Sequence, residues 1–327
     1  MHPHCRGTGI RAARRARNLL DPEAAAGHAV GMDEFASWRS NGQRFTHRGH
    51  QIFWRTGGTG SAGTLLCLHG FPTASWDWHR IWPELCEQFA HVLAPDLIGF
   101  GWSAKPQRYD YTIADQADLC EQLLREQRVD RFHILAHDYG DTVAQELLAR
   151  AEGRRAGGDT SLVIESVCLL NGGLFPEAHR PRPIQRLLAG PLGPLVGRFG
   201  TESTFAHSLA AVFGPDSKPD AGEMHRFWLL WCSKHGKRNG HKLMGYMAER
   251  RIHRERWVGA LVRPHVPVRL IDGLRDPVSG ERMVRRYRRL VAEPDVVELP
   301  AVGHYPQLEA PQETLRAFHE FHTTRVG

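Results

Sequence analysis

Beyond Met32 the chain alternates short apolar runs with longer stretches in which apolar positions recur about every three to four residues. The short runs are strand-length and the longer ones carry one apolar face, the signature of a helix. Phe45–His47 and Gln51–Trp54 predict an opening hairpin. Thr64–Leu68 predicts a buried strand ending at His69-Gly70, Trp76–Phe89 a helix, and His91–Pro95 a strand ending at Asp96. Ile113–Glu126 predicts a helix. Arg131–Ala136 predicts a central strand that runs into a sharp turn and a helix over Gly140–Arg150. Glu152–Asp159 reads as a polar, Gly-rich loop, and Leu162–Leu170 as a strand that stops at Asn171-Gly172-Gly173. Strands alternating with helices argue for a mostly parallel sheet covered on both faces.

The rhythm fails from Leu174 to about Arg263, a stretch rich in Pro, Gly, Trp and His that reads as helices in an irregular cap. It resumes with a strand at Val266–Ile271, a helix at Gly280–Val291, a strand at Asp295–Leu299 and a closing helix at Pro311–Phe321. The expected organisation is therefore a flexible extension over 1–31, a core over 32–173 and 264–327, and a cap over 174–263. Residues 1–31 hold no apolar h-region, so they do not read as a secretory signal, and Met32 is a candidate start.

Composition narrows the function classes. The 327 residues are 41% apolar and 24% charged, as expected for one large globular domain carrying an insertion. No apolar run approaches the roughly 18–20 residues of a membrane helix. The six cysteines are scattered without a C-x-x-C pair, so neither a disulfide framework nor a metal site is expected, and a cytoplasmic location fits. The formal charge of +6 comes largely from Arg11, Arg14, Arg15 and Arg17 and from Arg282, Arg285, Arg286, Arg288 and Arg289. The second cluster reads as the solvated face of a helix. No aromatic-interleaved basic platform accompanies either cluster, so nucleic acid is not an expected partner.

The most informative segment is Phe132-His133-Ile134-Leu135-Ala136-His137-Asp138-Tyr139-Gly140-Asp141, a strand, a tight turn and a helix. Small residues stand two positions either side of Asp138. A nucleophile elbow needs them there, because bulkier neighbours would block the helix from packing back on its strand. An Asp before a helix is commonly just an N-cap. Three features in chain order favour a nucleophile instead. His69-Gly70-Phe71-Pro72 follows a buried strand and offers the Phe71 N–H as partner to the Tyr139 N–H in an oxyanion hole. Gly273-Leu274-Arg275-Asp276-Pro277 follows a late strand and offers an acid; Asp276 is preferred to Asp272, which lies at the strand end itself. Gly303-His304-Tyr305-Pro306 follows the last strand and completes the order nucleophile, acid, histidine.

A carboxylate nucleophile is ionised at neutral pH and can displace a leaving group from saturated carbon, forming an alkyl ester. His304, oriented by Asp276, would then activate water against that ester. No cofactor is called for. The expected partners are a small hydrophobic substrate and water, and the oligomeric state is left open.

Together His69-Gly70-Phe71-Pro72, His137-Asp138-Tyr139-Gly140, Asp276 and His304 resemble the epoxide hydrolase and haloalkane dehalogenase branch of the α/β-hydrolase superfamily. Ser103-Ala104-Lys105-Pro106, Asn171-Gly172-Gly173 and Arg256-Trp257-Val258-Gly259-Ala260-Leu261 add a closer resemblance to the mesoderm-specific transcript family. The resemblance implies an eight-stranded, mostly parallel sheet with an inserted helical cap. It also implies that cap residues face substrate, with Tyr246, Trp228, Trp231 and Trp257 as candidates. Haloalkane dehalogenases usually hold halide with an Asn after His-Gly and a Trp after the nucleophile; Phe71 and Tyr139 stand there. Epoxide hydrolases usually carry two cap tyrosines that protonate the opening oxygen; only Tyr246 lies in the cap. The His-Gly-Phe-Pro loop has the epoxide hydrolase form, which makes that activity the leading expectation. Dehalogenation and a lapsed hydrolase used for binding are the alternatives.

Overall fold

A computed structural model of the chain describes residues 33–326. The 1–31 extension, its arginine cluster and Cys5 lie outside the described residues. A helix over residues 33–40 (α1) leads into β1 (Gln43–His47) and β2 (His50–Gly57), the expected hairpin. Then come β3 (Thr64–Leu68), α2 (Trp82–Gln88), β4 (His91–Pro95), α3 (Ile113–Glu126), β5 (Arg131–His137), α4 (Tyr139–Ala156) and β6 (Val163–Leu170). After an excursion of seven helices, β7 (Val268–Gly273) and β8 (Asp295–Leu299) complete the sheet.

The eight strands run in the order β1-β2-β4-β3-β5-β6-β7-β8. β2 pairs antiparallel with β1 and β4, and every later pairing is parallel. Period-two alternation divides the strand side chains between two cores. Leu66, Leu68, Ile134 and Ala136 pack with α3 and α4 on one face. Leu65, Cys67, Leu135 and Cys168 pack with Leu85 and with Phe318 and Phe321 of α14 (Pro311–Phe321) on the other. Because β3 and β5–β8 point the same way, the loops after them gather at one edge, where ligands bind in open parallel sheets.

Two expected elements differ. The Trp76–Phe89 helix is split into a 3-10 turn (Ser75–Trp78) and α2, because Pro83 fits only the first turn of a helix. The expected loop at Glu152–Asp159 is helical as far as Ala156. Arg154 there reaches back to Glu121 of α3 at 2.8 Å, and the helix stops at Gly157.

The inserted helices are α5 (Pro183–Ala189), α6 (Gly193–Phe199), α7 (Glu202–Ala210), α8 (Ala221–Cys232), α9 (Gly240–Leu243), α10 (Tyr246–Ile252) and α11 (Arg254–Val262). They are short, interrupted by glycine and proline, and close over the strand ends. After β7 the chain adds α12 (Glu281–Leu290), which carries the second arginine cluster. Arg286 of that cluster is tied to Glu177 and Arg288 to Glu298. A four-residue helix, α13 (Pro306–Glu309), precedes α14 and was not expected. Among the described residues no helix is long and apolar enough to cross a membrane.

Candidate active site

Asp138 occupies the turn between β5 and α4 with φ 46° and ψ −99°, a conformation costly for any residue bearing a Cβ. Space around it is equally constrained. A Cβ on Gly140 would fall 2.3 Å from the Leu68 carbonyl oxygen, so α4 could not lie this close to β3 with a larger residue there. The Asp138 side chain is buried, and its Oδ2 accepts the Phe71 N–H at 3.2 Å. Tyr139 is the first residue of α4, where a backbone N–H has no partner within the helix. The His304 Nε2 lies 3.9 Å from Asp138 Oδ2, while its Nδ1 donates to Asp276 Oδ2 at 2.7 Å.

Supporting groups fix this line. Asp276 accepts the Val278 N–H at 2.7 Å, the Ser279 hydroxyl at 2.6 Å and the Asn171 amide at 3.1 Å. His137 donates from Nε2 to the His304 carbonyl at 2.7 Å, pinning the loop that carries the histidine. Asp272 instead meets Asn171 at 3.4 Å. The carboxylate on His304 is therefore Asp276.

Burial disfavours charge on all of these groups, and their neighbours decide which carry it. Burial opposes ionisation of Asp138, yet His304 and Arg250 hold its pKa below the ordinary carboxylate range. Burial also opposes protonation of His304, but Asp276 and Asp138 raise its pKa well above the ordinary value. Asp276 is likewise lowered against its burial, chiefly by His304. Asp141 and Asp272 are raised well above the ordinary carboxylate value, first by burial and then by the charge of the neighbouring Asp138 and Asp276 respectively.

The insertion supplies the opposite wall. A cavity of about 140 Å³ reaches Phe71 and His304 between α5, α7 and α8, with Leu188, Phe205, Trp228 and Trp231 among its apolar lining. Trp228 and Trp231 are thus brought to the site. Tyr246 is fully buried with its ring 5.0 Å from that of Tyr139, and its hydroxyl has no hydrogen-bond partner. Like Tyr246, Trp257 is not among the residues lining that cavity. Its indole N–H donates to Glu146 at 2.7 Å, so it serves the packing of α11 on α4.

Two buried residues near Asp138 were given no role by the sequence reading. Arg250 on α10 is 2% exposed, donates from Nε to the Thr142 hydroxyl at 2.7 Å and from Nη2 to the Asp138 carbonyl at 3.1 Å. Its Nη2 lies 3.9 Å from Asp138 Oδ1. Flanked by Glu249 and Arg251, it looks like one more surface charge on a helix. His179 has a buried Nε2 without a partner. Desolvation, then the nearby Arg250, push its pKa down to about 3, so it is neutral. Among the described residues no cluster of His, Cys, Asp and Glu could hold a metal ion.

Residues 65–317 match the alpha/beta hydrolase family. The chain is 41% identical over 293 residues to the mesoderm-specific transcript homolog protein of Bos taurus, covering 87% of each. It is 36% identical over 275 residues to a putative hydrolase, LipZ, of Mycobacterium tuberculosis, covering 84% of this chain and 93% of that one. A loop variant of the haloalkane dehalogenase DbeA from Bradyrhizobium elkanii has a similar fold, with a TM-score of 0.70 at 22% identity over 85% of this chain and 94% of that one. The epoxide hydrolase CorEH has a similar fold too, with a TM-score of 0.68 at 19% identity over 86% of this chain and 98% of that one. Sheet order, elbow and the match over most of its length lead to one conclusion: the chain belongs to the alpha/beta hydrolase family, whose members support hydrolase activity.

Proposed function

We propose that this chain is a hydrolase that works through an alkyl ester of Asp138 and acts on small hydrophobic epoxides. The observation that carries the reading is the position of the carboxylate. Asp138 presents Oδ2 to the Phe71 amide, leaving Oδ1 as the attacking atom, with the Asp276–His304 pair beside it. Oδ1 attacks a ring carbon, the C–O bond breaks, and its electron pair goes to the ring oxygen, which takes the Tyr246 phenolic proton. Burial keeps Tyr246 protonated by pushing its pKa above the usual phenol value. The phenolate is reprotonated at the expense of His304, whose hold on its proton weakens once the Asp138 charge is gone. Neutral His304 then takes a proton from water as the oxygen adds to the Asp138 acyl carbon. The Phe71 and Tyr139 amides receive the oxyanion. Collapse expels the diol oxygen, which takes the proton of the newly formed carboxylic acid and restores the Asp138 carboxylate.

The test is a His304→Gln variant incubated with styrene oxide, followed by mass analysis of the peptide holding Asp138. The expected result is a mass gain equal to the whole epoxide. Halide release from a chain-length panel of haloalkanes, with no epoxide adduct, would replace the reading with dehalogenation. An unmodified peptide with both substrate classes would sink the covalent mechanism.

A further inference from the structure

We propose that Arg250 is an anion site masked by the nucleophile: it neutralises Asp138 in the resting protein and receives the charge on the substrate's departing oxygen when Asp138 becomes an ester. The proposal rests on the covalent reading above and adds a charge-bearing partner for the leaving atom. Within ion-pair distance of Arg250, Asp138 is the one carboxylate among the described residues. The other groups facing it are Asp141 and Thr142 from α4, Tyr246 from α10, and His179. Asp141 lies outside ion-pair distance and its pKa is raised by burial, Tyr246 and His179 stand neutral, and the neighbouring Glu249 is turned to the Ile113 N–H at 3.0 Å.

The guanidinium is also clamped in place. It lies 4.5 Å from the centroid of the Tyr246 ring, and a Cβ on Gly173 would fall 2.0 Å from its Nη1. That Nη1 has no hydrogen-bond partner, although buried donors are normally satisfied. Esterification therefore leaves a buried cation with a spare donor and no counter-ion, a state of high energy unless an anion arrives. An epoxide delivers one at that moment, because its oxygen stays attached to the carbon chain beside Asp138 as the ring opens. Arg250 thus holds the oxygen while Tyr246, stacked on the same guanidinium, passes its proton.

The ester state is mimicked without any substrate by Asp138→Asn, which keeps the shape and removes the charge. The probe is bromide, titrated calorimetrically at constant ionic strength with gluconate as balancing anion. Asp138→Asn is expected to bind bromide at least about tenfold more tightly than the unsubstituted protein. Asp138→Asn/Arg250→Met should lose that gain, and Asp138→Asn/Arg250→Lys should keep part of it. Equal binding by the single and the Met double variant overturns the site, as does no gain in Asp138→Asn. If Arg250→Met does not fold, Arg250→Gln provides the same comparison. A second arm measures ester formation from styrene oxide in the His304→Gln background, where Arg250→Met should slow it about 100-fold; an unchanged rate also overturns the proposal. Bromide binding needs no turnover. Failure of the His304→Gln protein to trap an adduct therefore counts against the covalent reading, and failure of the bromide comparison counts against Arg250.

Discussion

The two walls of the site are built differently. The sheet wall places Phe71, Asp138, Asp276 and His304 at the ends of parallel strands, each within a turn whose residues explain its shape. The insertion wall places Trp228 and Trp231 along the cavity, and Tyr246 and Arg250 against Tyr139 and Asp138, on helices whose relation to the sheet depends on contacts far apart in sequence. Position on the first wall is set by backbone, on the second by side-chain packing. In the proposed mechanism the sheet wall holds the reacting atoms and the insertion wall sets what approaches them.

That division is broken or sharpened by substitution. Asp138→Ala removes the proposed nucleophile and should lower kcat/KM by about 10⁴-fold or more, measured on styrene oxide. Retention of more than a hundredth of the activity would move the chemistry away from the sheet wall. Asp276→Asn should cost about 10³- to 10⁴-fold, because the carboxamide no longer holds His304 in orientation and charge. Tyr246→Phe should slow ester formation about 100-fold while leaving ester hydrolysis unchanged, measured by rapid quench. An equal effect on both steps would mean that the insertion only supports the fold.

The charges make a subtler prediction. Ester formation requires ionised Asp138, whose pKa is lowered, so it should persist as pH falls through the ordinary carboxylate range. In His304→Gln one cause of that lowering is gone, and the acid limb should move upward in single-turnover measurements. Smallest for activity is Trp257→Phe. Losing the bond to the Glu146 carboxylate should cost about 1.5 kcal/mol in denaturant unfolding with kcat/KM nearly unchanged.

The same division explains what was legible in the sequence. The elbow announced itself because Ala136 and Gly140 flank Asp138 for a steric reason, and the structure places the Leu68 carbonyl where a Gly140 Cβ would stand. Asp276 and His304 follow strands that alternation alone located. Arg250, His179 and the true setting of Trp257 were not legible. A helix fragment such as Tyr246–Ile252 carries no sign of which face meets a strand end ninety or more residues away. Asn171 stands out in the sequence as the stop of a strand and as part of a family resemblance, and neither says what its side chain does. Its amide joins the Asp276 carboxylate to the β7 turn, accepting the Gly273 N–H at 2.8 Å.

Gly173 offers a way to find a hidden cation by reading a different part of the chain. The guanidinium of Arg250 fills the volume that a side chain at position 173 would claim, so the two positions are two halves of one space-filling decision. An Ala or Ser at position 173 of this chain would have to push the guanidinium out of that space. The Asn-Gly-Gly tripeptide is thus a legible address for a charge that its own helix conceals.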